Sequence, residues 1–206
     1  MKGNRTKILR NKVAKEAALL LYTSQEKEFK QAKQRACSTL GARVLPSNLE
    51  VAQELDIIAT EREGPQRKER LLRMRKEAKQ IMKALAEFNP LLIGSVWRGT
   101  ARKSSDIDVH VFAEDCQQVL QQLQNQGYHV TSTERWSVTK SGVKSSSLHV
   151  QVGLKSGDNV EIVVRSLEQL GKTEKCETYG DLKTGLNLKQ LTKVLDNNPF
   201  EKFVPP

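Results

Sequence analysis

The hydrophobic period of this chain changes at Asn89-Pro90, and that change limits its fold more than any other feature. Before it, apolar residues recur at spacings of three and four; after it, they alternate with polar ones. The first period belongs to helices buried along one face, the second to strands buried on one side. The chain is therefore expected to be α+β, with a helical region followed by a mixed α/β unit and a short helical tail. The expected boundaries are 1–89, 90–170 and 171–206.

Within the first region, a helix is expected from about Lys7 to Cys37, where no proline or glycine interrupts a run rich in Ala, Leu, Lys, Glu and Gln. GARVLPSN breaks it, and Ser47 or Asn48 can cap a second helix, LEVAQELDIIATERE, which Gly64-Pro65 ends. In the third, QRKERLLRMRKEAKQIMKALAEF, one face carries Leu71, Met74, Ala78, Ile81, Leu85 and Phe88. That stripe reads as packing. The opposite face carries Arg67, Lys68, Arg70, Arg73, Lys76, Lys79 and Lys83. Such a face is either solvated charge or a surface for a nucleic-acid backbone.

Beyond Pro90, LLIG and DIDVHVF read as strands, and EDCQQVLQQLQNQG as a helix ended by Gly127. YHVTSTERWSVT, SLHVQVGL and NVEIVVRS are three further strands, the last two joined by a KSGD turn. SLEQLG begins a short helix, and NLKQLTKVLDNN forms another before Pro199.

Composition narrows the function classes. No apolar run approaches the roughly 20 residues needed to cross a bilayer, and no signal-peptide core follows the basic start, so a cytoplasmic location and no membrane partner are expected. Cys37, Cys116 and Cys176 are too scattered for a disulfide framework or a soft-metal site. The formal charge is +10, and it is uneven: residues 1–90 hold 20 Lys+Arg against 11 Asp+Glu, residues 91–206 hold 14 against 13. A basic half joined to a nearly neutral one suggests a partner that carries phosphates.

Chemistry concentrates in GSVWRGTARKSSDIDVHVF. Aspartate is poor strand material, yet Asp106 and Asp108 are spaced to project from one face of a strand, about 7 Å apart. Two carboxylates so close repel each other unless a cation joins them, and hard oxygen ligands suit Mg²⁺. Gly94-Ser95 lies where the chain leaves the preceding strand, and glycine there lets backbone approach a phosphate. Glu161, between the inward Val160 and Ile162, is the candidate third acid, and Asp158 a weaker one.

Gly-Ser, ten residues, Asp-x-Asp and a later carboxylate flanked by apolar residues together resemble the DNA polymerase beta-type nucleotidyltransferase superfamily. The run from Gly94 to Asp108, with its RGTAR segment, is especially similar to the minimal nucleotidyltransferases and the archaeal-type tRNA nucleotidyltransferases. The resemblance spans residues 90–166. It implies the polymerase beta-like fold. It also implies Mg²⁺ ions, with Mn²⁺ as a substitute, on Asp106, Asp108 and Glu161, and an NTP whose β- and γ-phosphates rest on Gly94 and Ser95. Arg98, Arg102 and Lys103 are candidates for neutralising the triphosphate. Two departures stand out. The third acid is Glu where the family more often has Asp, and the large helical part precedes the catalytic unit instead of following it.

The expected activity is transfer of a nucleoside monophosphate to a hydroxyl, with RNA or another nucleic acid as acceptor. A protein or small-molecule acceptor, or a non-catalytic nucleic-acid-binding module with this fold, are the alternatives. His110 reads as packing beside the site. His129 and His149 have no acid or cysteine near them in sequence, and Trp97 and Trp136 read as core more readily than as base-stacking surfaces. No Ser-His-Asp arrangement is legible, and nothing fixes an oligomeric state.

Overall fold

The computed structural model describes residues 2–140 and 143–205. They fall into two compact units: residues up to Arg67 with Lys175–Leu182 make one, and Lys68–Glu174 with Lys183–Val204 the other. The division lies inside the third expected helix, not at residue 89, and most of the tail from 171 onward belongs with the sheet. The reason is packing. The apolar stripe of that helix and the last helix of the chain are buried in the same core as the strands.

In the first unit the helix expected over Lys7–Cys37 is two, α1 (Lys2–Tyr22) and α2 (Phe29–Thr39). The Thr23 hydroxyl donates to the Leu19 carbonyl at 2.9 Å, and Ser24 adopts φ 57°, so the backbone turns without a glycine or proline. Local side-chain bonding of this kind is why Thr and Ser are weak helix formers, but two such residues in a run rich in Ala, Leu and Lys do not by themselves fix a break. α3 (Asn48–Glu63) starts on Ser47 through a reciprocal pair of bonds, Glu50 N to Ser47 Oγ at 3.1 Å and Ser47 N to Glu50 Oε2 at 2.7 Å. A cap of this type contributes about 1 kcal/mol. The three helices close around Val13, Ala17, Leu21, Ala32, Ala36, Val51 and Ile58.

α4 (Pro65–Ala84) leads into the second unit, followed by a 3₁₀ turn, Ala86–Phe88. Then come β1 (Leu91–Ile93), α5 (Gly94–Arg98), β2 (Ile107–Phe112), α6 (Cys116–Asn125), β3 (His129–Lys140), β4 (Val143–Gly153) and β5 (Asn159–Arg165). A 3₁₀ turn at Leu167–Gln169 stands where the SLEQLG helix was expected. The two-residue β6 (Leu186–Asn187) and α7 (Leu188–Asn197) complete the unit. The sheet has the order β3-β4-β5-β2-β1-β6, with β2 and β5 parallel and the other neighbours antiparallel. This is the mixed sheet with flanking helices expected of an α+β chain.

Register divides the sheet into two unlike faces. Leu92, Val109, Ile162 and Val150 lie in one row and are fully buried with Met74, Ala78 and Ile81 of α4, Leu85 just after it and Leu123 of α6. Burial of each such side chain contributes about 2 kcal/mol. On the other face one row holds Ile93, Asp108, Glu161 and Gln151, and the next holds Leu91, His110, Val163 and His149. The polar face therefore carries the chemistry.

One buried cation organises this unit. Arg75 is 0% exposed. Its guanidinium donates to the carbonyls of Val96 (3.1 Å), Trp97 (2.9 Å), Pro199 (2.7 Å) and Glu201 (2.9 Å). It thus satisfies carbonyls at the end of α5 and ties the C-terminal segment to them. Burial draws its pKa down to about 10, with Glu201 opposing, so it stays charged at neutral pH. A partial signal was present in the sequence: Arg75 stands at the edge of the 71–74–78–81 face, with Leu71, Leu72 and Ala78 three or four residues away but Lys79 beside it as well.

Candidate active site

Asp106 sits just before β2, and Asp108 lies on it, directly opposite Glu161 of β5 on one side and Ile93 of β1 on the other. Gly94 follows β1 at once, with φ +69°, a conformation that side chains rarely adopt. A β-carbon built on Gly94 would fall inside the Asp108 carboxylate. The glycine is thus required by the aspartate as well as by the turn.

The three acids feel one another. Burial, then Glu161 and Asp106, push the Asp108 carboxyl up to about 7. The Asp106 carboxyl is raised by burial and by Glu161 and Asp158, against a hydrogen bond from Asn159 that lowers it. Three mutually repelling carboxylates at one end of a sheet face are a donor set that suits a hard divalent cation. Asp106, Asp108 and Glu161 therefore fit Mg²⁺ by chemistry. Among the described residues, no group of three or more His, Cys, Asp or Glu side chains is already drawn to ligand spacing. Glu161 instead directs Oε1 to His149 Nδ1, 2.9 Å away.

His149 was the unforeseen member. Its other nitrogen, Nε2, lies 3.2 Å from Ser147 Oγ, and its ring stacks on Trp136 with centroids 4.6 Å apart. A Ser-His-carboxylate chain is therefore present after all. Its acid comes from a different strand, which is why no local spacing disclosed it. A countable signal did exist: the KSGD turn pairs Gly153 with Asn159, which places His149 two residues diagonally from Glu161 on the same face. Trp136, expected as core, is 53% exposed on the edge strand, whereas Trp97 is buried as expected. His110 packs in the row beside the acids. Burial and Arg165 lower its pKa to about 3, with Glu174 opposing, so it is neutral.

The basic candidates separate. Arg98 is 3% exposed, its Nη1 donates to the Phe203 carbonyl at 2.8 Å, and its guanidinium lies 4.1 Å over the Trp97 ring. It braces the C-terminal segment. Arg102 and Ser105 close a turn through two backbone-mediated bonds of 3.0 and 2.9 Å, with Lys103 exposed at its tip. Ser95 lies half-buried in α5, beside Gly94. Asp158 is engaged by Arg73, with bonds of 2.8 and 3.0 Å, and so is a partner of α4 before it is a third acid.

Along α4, Lys68, Arg73, Lys76 and Lys83 are exposed, and Arg70 and Lys79 half-buried. Lys68 also lies 5.9 Å over the Phe200 ring. Arg67 departs from the expected surface. It is 8% exposed, donates to Asp56 Oδ1 and Thr60 Oγ1 at 2.6 Å each, and holds α3.

No family model matches the sequence, and no curated protein does. Solved structures do. The chain is similar to Cid1 in complex with the UTP analogue UMPNPP, at 14% identity over 49% of this chain and 32% of that one, with a TM-score of 0.33. It is likewise similar to a cytoplasmic RNA terminal U-transferase, at 15% identity over the same shares and a TM-score of 0.33. A further structure of the Cid1 poly(U) polymerase matches at 17% identity over 46% and 32%, with a TM-score of 0.28. These are polymerase beta-like nucleotidyltransferases. The matched region spans about a third of their length. Among the described residues, no helix is long and apolar enough to cross a membrane.

Proposed function

We propose that this chain transfers a nucleoside monophosphate from an NTP to a hydroxyl on RNA and releases pyrophosphate. The observation that carries the reading is the row in which Asp108 stands beside Glu161 with Gly94 packed against it. Asp106, Asp108 and Glu161 would hold two Mg²⁺ ions, for which Mn²⁺ can substitute. When bound, the ions supply Lewis acidity toward the α-phosphorus and offset the charge of the leaving pyrophosphate.

The chain's own residues do the positioning. Gly94, lacking a side chain, leaves its backbone open to the β- and γ-phosphates, and the Ser95 hydroxyl donates to them. Arg102 and Lys103 bring positive charge along the segment between Ser95 and Asp106. Holding the triphosphate at two ends limits it to one line of attack, which is where most of the rate gain in such reactions arises. Lys76, Lys79 and Lys83, with Lys68 and Arg70, offer a backbone-binding surface for the acceptor, while Arg73 of the same helix is engaged by Asp158.

The test is incubation with each α-labelled NTP, Mg²⁺ or Mn²⁺ and a total RNA pool, beside an Asp106→Ala/Asp108→Ala variant. Label entering RNA only with the intact chain supports the reading. Label on protein instead would redirect it to a protein acceptor, and RNA retention without label would reduce the chain to a binding module.

A further inference from the structure

His149 joins three groups that no motif connects. Its Nδ1 lies 2.9 Å from Glu161 Oε1, its Nε2 lies 3.2 Å from Ser147 Oγ, and the Trp136 ring stacks on it at an interplanar angle of 26°. Trp136 is itself held, through an Nε1 bond of 3.1 Å to Glu134 Oε2. We propose that His149 is a positioning residue for the transfer reaction: it fixes the direction of the Glu161 carboxylate beside Asp108. The proposal rests on the transfer reading above.

The need arises from the third acid being glutamate. Its extra methylene adds a torsion, so the carboxylate samples more directions than an aspartate on the same strand. A donor on one oxygen restricts that freedom. Outer partners of metal-holding groups commonly orient them in this way. The hydrogen-bond chain also sets the tautomer. An ionised Glu161 carboxylate can only accept, so Nδ1 carries the hydrogen, and in the neutral ring Nε2 then accepts from the Ser147 hydroxyl. The Trp136 stack keeps the imidazole from rotating out of this line, which gives an exposed tryptophan on an edge strand a task. Ring and donor thus have separate duties, and substitution can separate them.

The experiment titrates the full chain with Mn²⁺ alone, followed by calorimetry and by tryptophan fluorescence, and then measures transfer kinetics. His149→Phe keeps a ring against Trp136 but has no donor. His149→Asn keeps a donor near the place of Nδ1 but loses the ring. The Phe variant is expected to bind Mn²⁺ about 10- to 100-fold more weakly and to lose kcat with little change in KM for NTP, while the Asn variant stays within about threefold of wild type. In a Glu161→Gln background, His149→Phe is expected to add no further loss. In the wild type, Mn²⁺ is expected to change the fluorescence, and Trp136→Phe is expected to abolish that change. Wild-type Mn²⁺ binding in the Phe variant, or a loss in Asn larger than in Phe, would overturn the positioning role and leave the transfer reading standing. A wild-type chain that binds no Mn²⁺ would overturn both.

Discussion

Gly94 and Asp108 are fitted so closely that no other residue can replace the glycine without displacing the carboxylate. Gly94→Ala is therefore expected to act twice, through strain at φ +69° and through the clash. The expected outcome is a loss of about 2 kcal/mol in urea unfolding and a fall in transfer rate of more than about 100-fold, since the displaced group is an acid of the site. Unfolding curves and single-turnover rates on the same preparation check it. An alanine variant with wild-type rates would show that the fit is incidental.

Arg75 is expected to be among the most costly positions in the chain. Replacing it with Leu keeps the apolar face of α4 continuous but leaves the carbonyls of Val96, Trp97, Pro199 and Glu201 without their donor. Leaving a buried acceptor unsatisfied typically costs about 1–3 kcal/mol, and here several carbonyls lose the same donor. Arg75→Leu should lower the urea midpoint accordingly, and Arg75→Lys should recover little, because one ammonium cannot reach four acceptors arranged for a planar fork.

The acids make stability depend on pH in a direction that can be stated in advance. Asp108 titrates at about 7 in the fold and near 3.9 when unfolded, so between those values the native state holds the extra proton. Its contribution is intact below the unfolded value and is lost as pH rises through 7. In metal-free buffer, Asp108→Asn should therefore gain on wild type in Tm from pH 5 to pH 8. His110 works the other way. Its pKa is lowered to about 3 against 6.5, so stability is lost as pH falls below the unfolded value, and His110→Phe should flatten that acid limb. Thermal melts of the three proteins across pH 4–8 check both signs.

The basic surface of α4 should reveal itself through salt. Lys76→Ala, Lys79→Ala and Lys83→Ala together are expected to weaken RNA binding uniformly across sequences. They should also reduce the slope of log K against log salt by about 2. Arg67→Ala should leave that slope unchanged and cost about 2 kcal/mol of stability, because its guanidinium is spent on Asp56 and Thr60. Filter binding at several salt concentrations separates the two.

What was legible from sequence was whatever repeats locally. The alternation of DIDVHVF and VEIVVRS placed Asp108 and Glu161 on polar faces, and the register confirms that the two faces are one. The Ser47 cap and the stripe from Leu71 to Leu85 were readable for the same reason. What stayed hidden depends on partners far away in the chain. Arg98 and Arg67 carry the charge of phosphate binders, yet each is buried against a carbonyl or carboxylate that the sequence does not place. His149 met Glu161 only once β4 and β5 had paired. The break after Tyr22 turned on one hydroxyl and one positive φ.

The central claim is that the carboxylates on β2 and β5 act together on a phosphoanhydride. The most direct measurement supplies one NTP labelled at the α-phosphate and, in parallel, at the γ-phosphate, with RNA and Mg²⁺, to wild type and to Asp108→Ala and Glu161→Ala. The account expects α-label in RNA and γ-label released as pyrophosphate with wild type, and neither with the two variants. Gamma-label released as free phosphate, or transfer that survives Asp108→Ala, would contradict it.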